Sequence, residues 1–483
     1  MRRTKIVATL GPASDPPEMV AALIDAGVDV VRLGLAHGTP EEHIARIERV
    51  RDIADRRGHK VGVLCDLPGP KVRAGTFPEG GAFLAEGEEV ELAAGDSASS
   101  DGRITVDEDD LTTIAGPGDT IVLGDGTVTL EVVAVDGDTV RAVVRSGGRL
   151  QGRPGVHLPS SRWTPAVPTD EDLKLVDRVA HLADWVAVSF VRRASELLRV
   201  REALGTGGPK LMAKIETRSA VDHLDELLSA ADGVMVARGD LGIDCAIEEV
   251  PQLQKRIIRA AALRGVPVIT ATQMLESMIT APTPTRAEAS DVANAVVDGT
   301  DALMLSAETA IGHNPVAAVQ TMARIAERAE QSDDRRLGPD DRGRVQAIQP
   351  AERRESRATV TAATVTVAMA HAALRAASEL ELAAIVCCTR NGTTARAMAA
   401  VRPGCRLIGA SPSCSTARQL ALSWGVEPLV VGEYSTTDEM VWCVVEAAVQ
   451  QDLVRKGQTI AVLAGAPDSP TRATDVLRIV SVL

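Results

Sequence analysis

Along residues 1–310 the chain repeats one pattern: a short, nearly unbroken apolar run, then a longer amphipathic stretch. The runs are TKIVATLG (4–11), VDVVRLGLAH (28–37), KVGVLCDLPG (60–69), WVAVSFV (185–191), KLMAKIE (210–216), GVMVARGDLG (233–242), PVITATQM (267–274) and ALMLSAET (302–309). They read as buried strands, and stretches such as PEEHIARIERVRDIADRR read as the helices between them. The third run has no helix directly after it. Eight strands with crossover helices predict a (β/α)8 TIM barrel built from 1–71 and 165–335. A doubly wound open sheet would give the same alternation, and counting strands does not separate the two.

The texture changes after the third strand. Residues 72–164 are rich in Gly, Asp, Val and Thr, and DG pairs at 101–102, 125–126 and 136–137 punctuate short alternating runs such as VTLEVVAV and TVRAVVRSG. This predicts a small antiparallel β domain inserted into the barrel. Residues 331–356 are charged and poor in large apolar residues, which predicts a linker. The C-terminal part, 336–483, then alternates helices with the strands AAIVCCT, CRLIGAS, EPLVV and TIAVLAG, a separate α/β domain.

Composition narrows the function. The net charge of −14 argues against general nucleic-acid binding, and 2% aromatic residues leave little to stack on bases. No apolar run reaches the roughly 18 residues of a membrane-spanning helix. The apolar start ends at Leu10, too early for a signal peptide, and seven cysteines without metal-ligand spacing fit a reducing compartment. A cytoplasmic protein is expected, with Cys387 and Cys388 as buried thiols.

Polar groups gather at the downstream ends of the barrel strands: Arg32, Asp66, Lys214 with Glu216, Arg238 with Asp240, Thr272 with Gln273, and Glu308. In a barrel those ends form one rim, where active sites are built. Any one of them is equally well explained as a solvated strand end; recurrence in strand after strand is not. The carboxylates Glu216 and Asp240, with no histidine or cysteine beside them in sequence, suit a hard divalent cation such as Mg2+ or Mn2+. Lys214 and Arg32 add fixed positive charge. GDLG (239–242) and ATQM (271–274) put backbone N–H groups at helix mouths, which suits an anion. Cation, lysine and arginine around an anion pocket is what phosphoryl transfer needs, because that chemistry rests on positioning and charge neutralisation. The residues alone predict a metal-dependent barrel enzyme acting on a small phosphorylated acid.

The opening RRTKIVATLGPAS, SFVRRASE (189–196), AKIET (213–217), VMVARGDLGID (234–244) and the long VITATQMLESMITAPTPTRAEASDVANAVVDGTDALMLSAETA (268–310) resemble the signatures of the pyruvate kinase family. The resemblance spans nearly the whole chain, domain order included. It implies transfer of the phosphoryl group of phosphoenolpyruvate to ADP, giving pyruvate and ATP in glycolysis, by a homotetramer. It also implies roles. Arg32 would hold the transferring phosphoryl group and Lys214 would neutralise it in the transition state. Glu216 and Asp240 would ligate Mg2+ or Mn2+. The backbone of Gly239 and Asp240, with Thr272, would take the substrate carboxylate, and Thr272 would also sit on the proton path to the enol carbon. His37 and Arg73 would face the nucleotide phosphates.

Three departures from that pattern carry information. Where the family reads RLNFSHG this chain reads RLGLAHG, so Gly34 and Ala36 cannot supply the side-chain oxygens that help bind K+. Asp66 keeps one carboxylate of that site, and Lys71 lies where K+-independent members carry lysine, so K+ is not expected to be required. In GRPGVHLPS (152–160), Pro154 replaces a lysine that touches nucleotide phosphate, with Arg153 beside it. In the C-terminal domain, CTRNGTTAR (388–396) follows a strand and opens a helix; Thr389, Asn391, Gly392, Thr393 and Thr394 resemble the family's effector loop for sugar phosphates. The later APDSPTRATD (466–475) lacks the glycines usual there, which leaves a sugar-phosphate or a nucleotide effector open. The alternative to a working pyruvate kinase is a diverged paralogue that keeps the phosphoenolpyruvate and metal pocket for another acceptor, or for binding only.

Overall fold

The computed structural model describes residues 2–124, 126–159, 162–331, 361–465 and 473–483. The eight apolar runs form the strands Lys5–Thr9, Val30–Gly34, Gly62–Asp66, Trp185–Val188, Lys210–Ile215, Gly233–Ala237, Val268–Ala271 and Ala302–Leu305. All are parallel, and the first pairs with both the second and the eighth, so the sheet closes into a barrel. Closure removes the open-sheet alternative. The helix Pro40–Arg56 shows how the sequence sets the outer ring: Thr39 and Glu42 satisfy each other's backbone N–H groups at its start, and Ile47, Val50, Ile53 and Ala54 are buried.

The insertion folds into a six-stranded sheet and a separate two-stranded one. Leu92, Ile104, Ile121, Leu130 and Val144 belong to its core. Its strands are antiparallel with one exception: Glu89–Ala94 runs parallel to Arg103–Val106. The expected antiparallel insertion is found, apart from that one parallel pair. The turn at 101–102 lies in the connection between these two strands and does not make them a hairpin. Where a hairpin does form, between Val128–Asp136 and Thr139–Ser146, Gly137 supplies a φ of +65°.

The charged stretch 331–356 lies, apart from Gln331, outside the described residues, as does 466–472 of the late C-terminal loop. Beyond it the strands Ala384–Cys388, Arg406–Ser411, Val426–Val430 and Thr459–Ala464 form the expected parallel sheet. A fifth strand, Val476–Ser481, joins it antiparallel at one edge. It lies beyond the last strand that the sequence predicts, TIAVLAG, because none of its residues is fully buried and it carries no clean alternation. No helix among the described residues is long and apolar enough to cross a membrane.

The C-terminal domain closes the upstream end of the barrel. Ala421 and Leu422 join the interior cluster of Val7, Val30, Leu64, Trp185, Met212 and Met235. Trp185 Nε1 donates to the Gln419 carbonyl at 3.2 Å. The approach is close enough that a Cβ on Gly62 would stand 2.9 Å from the Arg418 carbonyl oxygen. Asp184, 0% exposed, clamps the junction. It accepts from Arg418 at 3.0 Å, from Arg51 at 2.5 Å and from the Val63 N–H at 2.8 Å. Asp184→Ala should therefore lower stability by about 3 kcal/mol. That is the low end for a broken buried pair, because both arginines keep some solvent. Denaturant unfolding measures this; an unchanged midpoint would show that the junction does not depend on the carboxylate.

Candidate active site

A cavity of about 460 Å3 opens at the downstream rim, between the barrel and the inserted domain. Arg32, Asp66, Lys71, Lys214, Glu216 and Asp240 line it from the barrel, and Val122, His157 and Trp163 from the insertion. Asp66 ends the third strand between two cations: Arg32 Nε donates to its Oδ2 at 2.7 Å, and Lys214 Nζ lies 3.3 Å from its Oδ1, which is buried without a hydrogen bond. Lys214 Nζ also stands 2.9 Å from Glu216 Oε1 and donates to Ser189 Oγ at 2.7 Å. Ser189 Oγ donates in turn to the Leu67 carbonyl at 2.7 Å. The next residue, Phe190, sits at φ +56° and aims its N–H at Glu216 Oε2, 2.7 Å away.

Burial alone would raise the Asp66 carboxyl, but Lys214 and Arg32 outweigh it and hold it below the ordinary carboxylate range. Burial likewise opposes the Lys214 charge, yet Asp66 and Glu216 outweigh it and its pKa is raised. Lys214 is therefore a permanent cation. Glu216 is pushed up, first by burial and, against the pull of Lys214, by the neighbouring Asp240. Asp66 takes two cations, Glu216 shares one of them, and Asp240 adds a third carboxylate beside them. Glu216 Oε1 is buried without a hydrogen bond, since Lys214 is near it but not in line for one. These observations fit a divalent cation on Glu216 and Asp240. Among the described residues no group of three or more His, Cys, Asp or Glu side chains could hold a metal. A cation here would have two protein carboxylates and would take its remaining oxygens from ligand and water, as Mg2+ does.

The other predicted residues divide. The Gly239 N–H donates to Thr272 Oγ1 at 2.8 Å and Thr272 Oγ1 donates to the Ala271 carbonyl at 2.6 Å, so the proposed carboxylate donors stand together next to Asp240 but spend their protons on each other and the backbone, and neither Gly239 nor Thr272 lines the cavity. His37 is exposed on the loop after the second strand and does not line the cavity. Nor does Arg73, whose Nη1 reaches the Arg153 carbonyl at 3.4 Å. Glu308, one of the rim residues, accepts from the Leu275 and Ser306 N–H groups at 3.0 and 2.7 Å and braces a loop. Two residues were missed. Ser189 was visible as a polar residue at the downstream end of the fourth strand. His157 had no sequence signal: the inserted domain carries its Nε2 to 3.8 Å from Asp240, so in space a histidine does stand beside the carboxylates.

Two family descriptions match the chain: "Pyruvate kinase, barrel domain" over residues 1–319 and "Pyruvate kinase, alpha/beta domain" over 367–480. A pyruvate kinase of Geobacillus stearothermophilus is 40% identical over 485 residues, covering 99% of this chain and 80% of that protein. Another, from Methylorubrum extorquens, is 40% identical over 99% of this chain and 97% of its own length. A solved pyruvate kinase from Cryptosporidium parvum superposes with a TM-score of 0.87 at 30% identity, covering 100% of this chain and 96% of that one.

The chain belongs to the pyruvate kinase family.

In this pyruvate kinase-family chain the C-terminal loop is compact. The Gly392 N–H donates to Thr389 Oγ1 at 2.9 Å and the Thr393 N–H to Asn391 Oδ1 at 3.2 Å. Gly392 stands at φ +86° where the helix Thr393–Ala400 begins. Thr394 Oγ1 meets Thr474 Oγ1 at 2.7 Å, so the helix is tied to the end of the late loop.

Glu216→Gln or Asp240→Asn should weaken Mn2+ binding at least about tenfold, because a hard cation loses an anionic oxygen. Titration followed by the paramagnetic resonance of free Mn2+ reads this; wild-type affinity in both variants would remove the cation from these residues.

Proposed function

We propose that this protein works as a pyruvate kinase, moving the phosphoryl group of phosphoenolpyruvate to ADP to give pyruvate and ATP in glycolysis. The observation that carries the reading is Lys214, a buried ammonium fixed between Asp66 and Glu216 beside Arg32 at the cavity floor. Arg32 holds the substrate phosphoryl oxygens, and Lys214 meets the charge that grows on them as the bond to the enol oxygen breaks. Gly239, Asp240 and Thr272 take the carboxylate, and Thr272 stands on the path by which the enol carbon gains its proton. Glu216 and Asp240 would hold a Mg2+ or Mn2+ ion, which would supply further neutralisation of the phosphoryl oxygens.

In this reading the barrel, 1–71 and 165–335, is catalytic. The insertion, 72–164, is a lid, and 336–483 answers an effector, a sugar phosphate or a nucleotide, at Thr389, Asn391, Gly392, Thr393 and Thr394. His37 and Arg73 reach the nucleotide phosphates from the rim. Self-association into a tetramer is supported by the open edge strand Val476–Ser481 and by Trp442, 66% exposed beside it. A cytoplasmic location agrees with seven free cysteines.

K+ is not required in this reading. Asp66, the remaining carboxylate of a cation site, is already engaged by Arg32 and Lys214. Gly34 and Ala36 line the cavity without oxygen-bearing side chains, and Lys71 lines it with a fixed charge. Coupled assay of pyruvate formation, with ADP and other nucleoside diphosphates and with K+ replaced by tetramethylammonium, tests both points. Activity with ADP should persist without K+, and Lys71→Glu should lower it by setting an uncompensated carboxylate near the phosphoryl site. Activation of the wild type many-fold by K+ would refute the role of Lys71. No pyruvate with any nucleotide would favour the binding paralogue.

A further inference from the structure

Arg238 stands where the sixth strand ends and the helix Arg238–Asp244 begins. Its side chain is 11% exposed, and most of its acceptors lie at the end of the seventh strand. Nε donates to the Ala271 carbonyl at 3.2 Å, and Nη2 to the carbonyls of Thr272 and Gln273 at 2.7 and 3.3 Å. Nη1 is anchored by Asp291 at 2.7 Å and approaches Gln254 Oε1 at 3.4 Å. These carbonyls converge because Thr272 and Gln273 lie at φ +67° and +52°. A β-branched residue keeps a left-handed backbone only where its surroundings over-determine it. The same turn sets Thr272 Oγ1 against the Gly239 N–H.

We propose that Arg238 is a positioning residue for proton transfer: its guanidinium holds the 271–273 backbone in the left-handed turn that fixes the Thr272 hydroxyl, which here accepts from the Gly239 N–H and donates to the Ala271 carbonyl at 2.6 Å and has to turn from that carbonyl to serve the substrate. This rests on the reading of Thr272 as part of the proton path. The planar fork is what the task needs, since one group must satisfy three carbonyls in different directions and a carboxylate behind them. A lysine places the charge but cannot span those acceptors. The hydroxyl then moves, and a displacement of about 1 Å is enough to cost about a hundredfold in rate.

The test follows exchange of the pyruvate methyl hydrogens with D2O by NMR, with ATP and Mg2+ present, in Arg238→Ala, Arg238→Lys and Thr272→Ala. Exchange should fall at least about tenfold in all three. The solvent isotope effect on kcat should rise in both Arg238 variants, and free guanidinium, at concentrations that leave the wild type unaffected, should restore exchange in Arg238→Ala. NaCl at equal ionic strength should not. Arg238→Lys keeps the test open if the alanine variant fails to fold. Wild-type exchange in both Arg238 variants, or losses that follow the unfolding midpoint without guanidinium rescue, would overturn the role of Arg238. Wild-type exchange in Thr272→Ala would instead overturn the proton-path reading.

Discussion

The site depends on one constraint: a buried ammonium needs carboxylates, and those carboxylates need fixed donors of their own. Lys214 sits between Asp66 and Glu216. Asp66 is held by Arg32, and Glu216 by the Phe190 N–H. Removing one member would leave a buried charge unpaired, at a cost of about 3–5 kcal/mol. Desolvation is also what makes the cluster useful. In a water-poor pocket a fixed cation acts on a nearby phosphoryl group far more strongly than it would in bulk water.

The rest of the molecule keeps that arrangement in place from two ends. Upstream, the C-terminal domain seats Ala421 and Leu422 inside the barrel and clamps Asp184, the residue just before the fourth strand. Downstream, the same strand leads into Ser189 and Phe190, which touch Lys214 and Glu216. One short strand, Trp185–Val188, thus joins the domain junction to the charge cluster. Above the cavity, the inserted domain brings His157 to Asp240. The two-residue strand Val156–His157, paired with Leu123 and Val122, fixes where that imidazole stands.

Much of this was legible in the sequence, for physical reasons. The barrel strands are covered on both faces, so they read as apolar runs, and a parallel barrel gathers their downstream ends on one rim. That made Arg32, Asp66, Lys214, Glu216 and Asp240 recognisable as a set before any fold was seen. What depends on distant segments was not legible. His157 comes from another domain, and the parallel pairing of Glu89–Ala94 with Arg103–Val106 depends on strand order rather than on local turns. The edge strand Val476–Ser481 has too little burial to leave a pattern. Glu308 shows the opposite limit: a rim carboxylate that polarity marked as chemical is engaged by two backbone N–H groups.

In the proposed mechanism Lys214 acts on charge that appears only as the phosphoryl group moves. Single-turnover kinetics of Lys214→Met, with phosphoenolpyruvate binding followed separately by Mn2+ relaxation, tests it most directly. The chemical step should slow at least about a hundredfold, with phosphoenolpyruvate affinity changed only a few-fold. A chemical step at the wild-type rate, with the loss confined to substrate affinity, would contradict it.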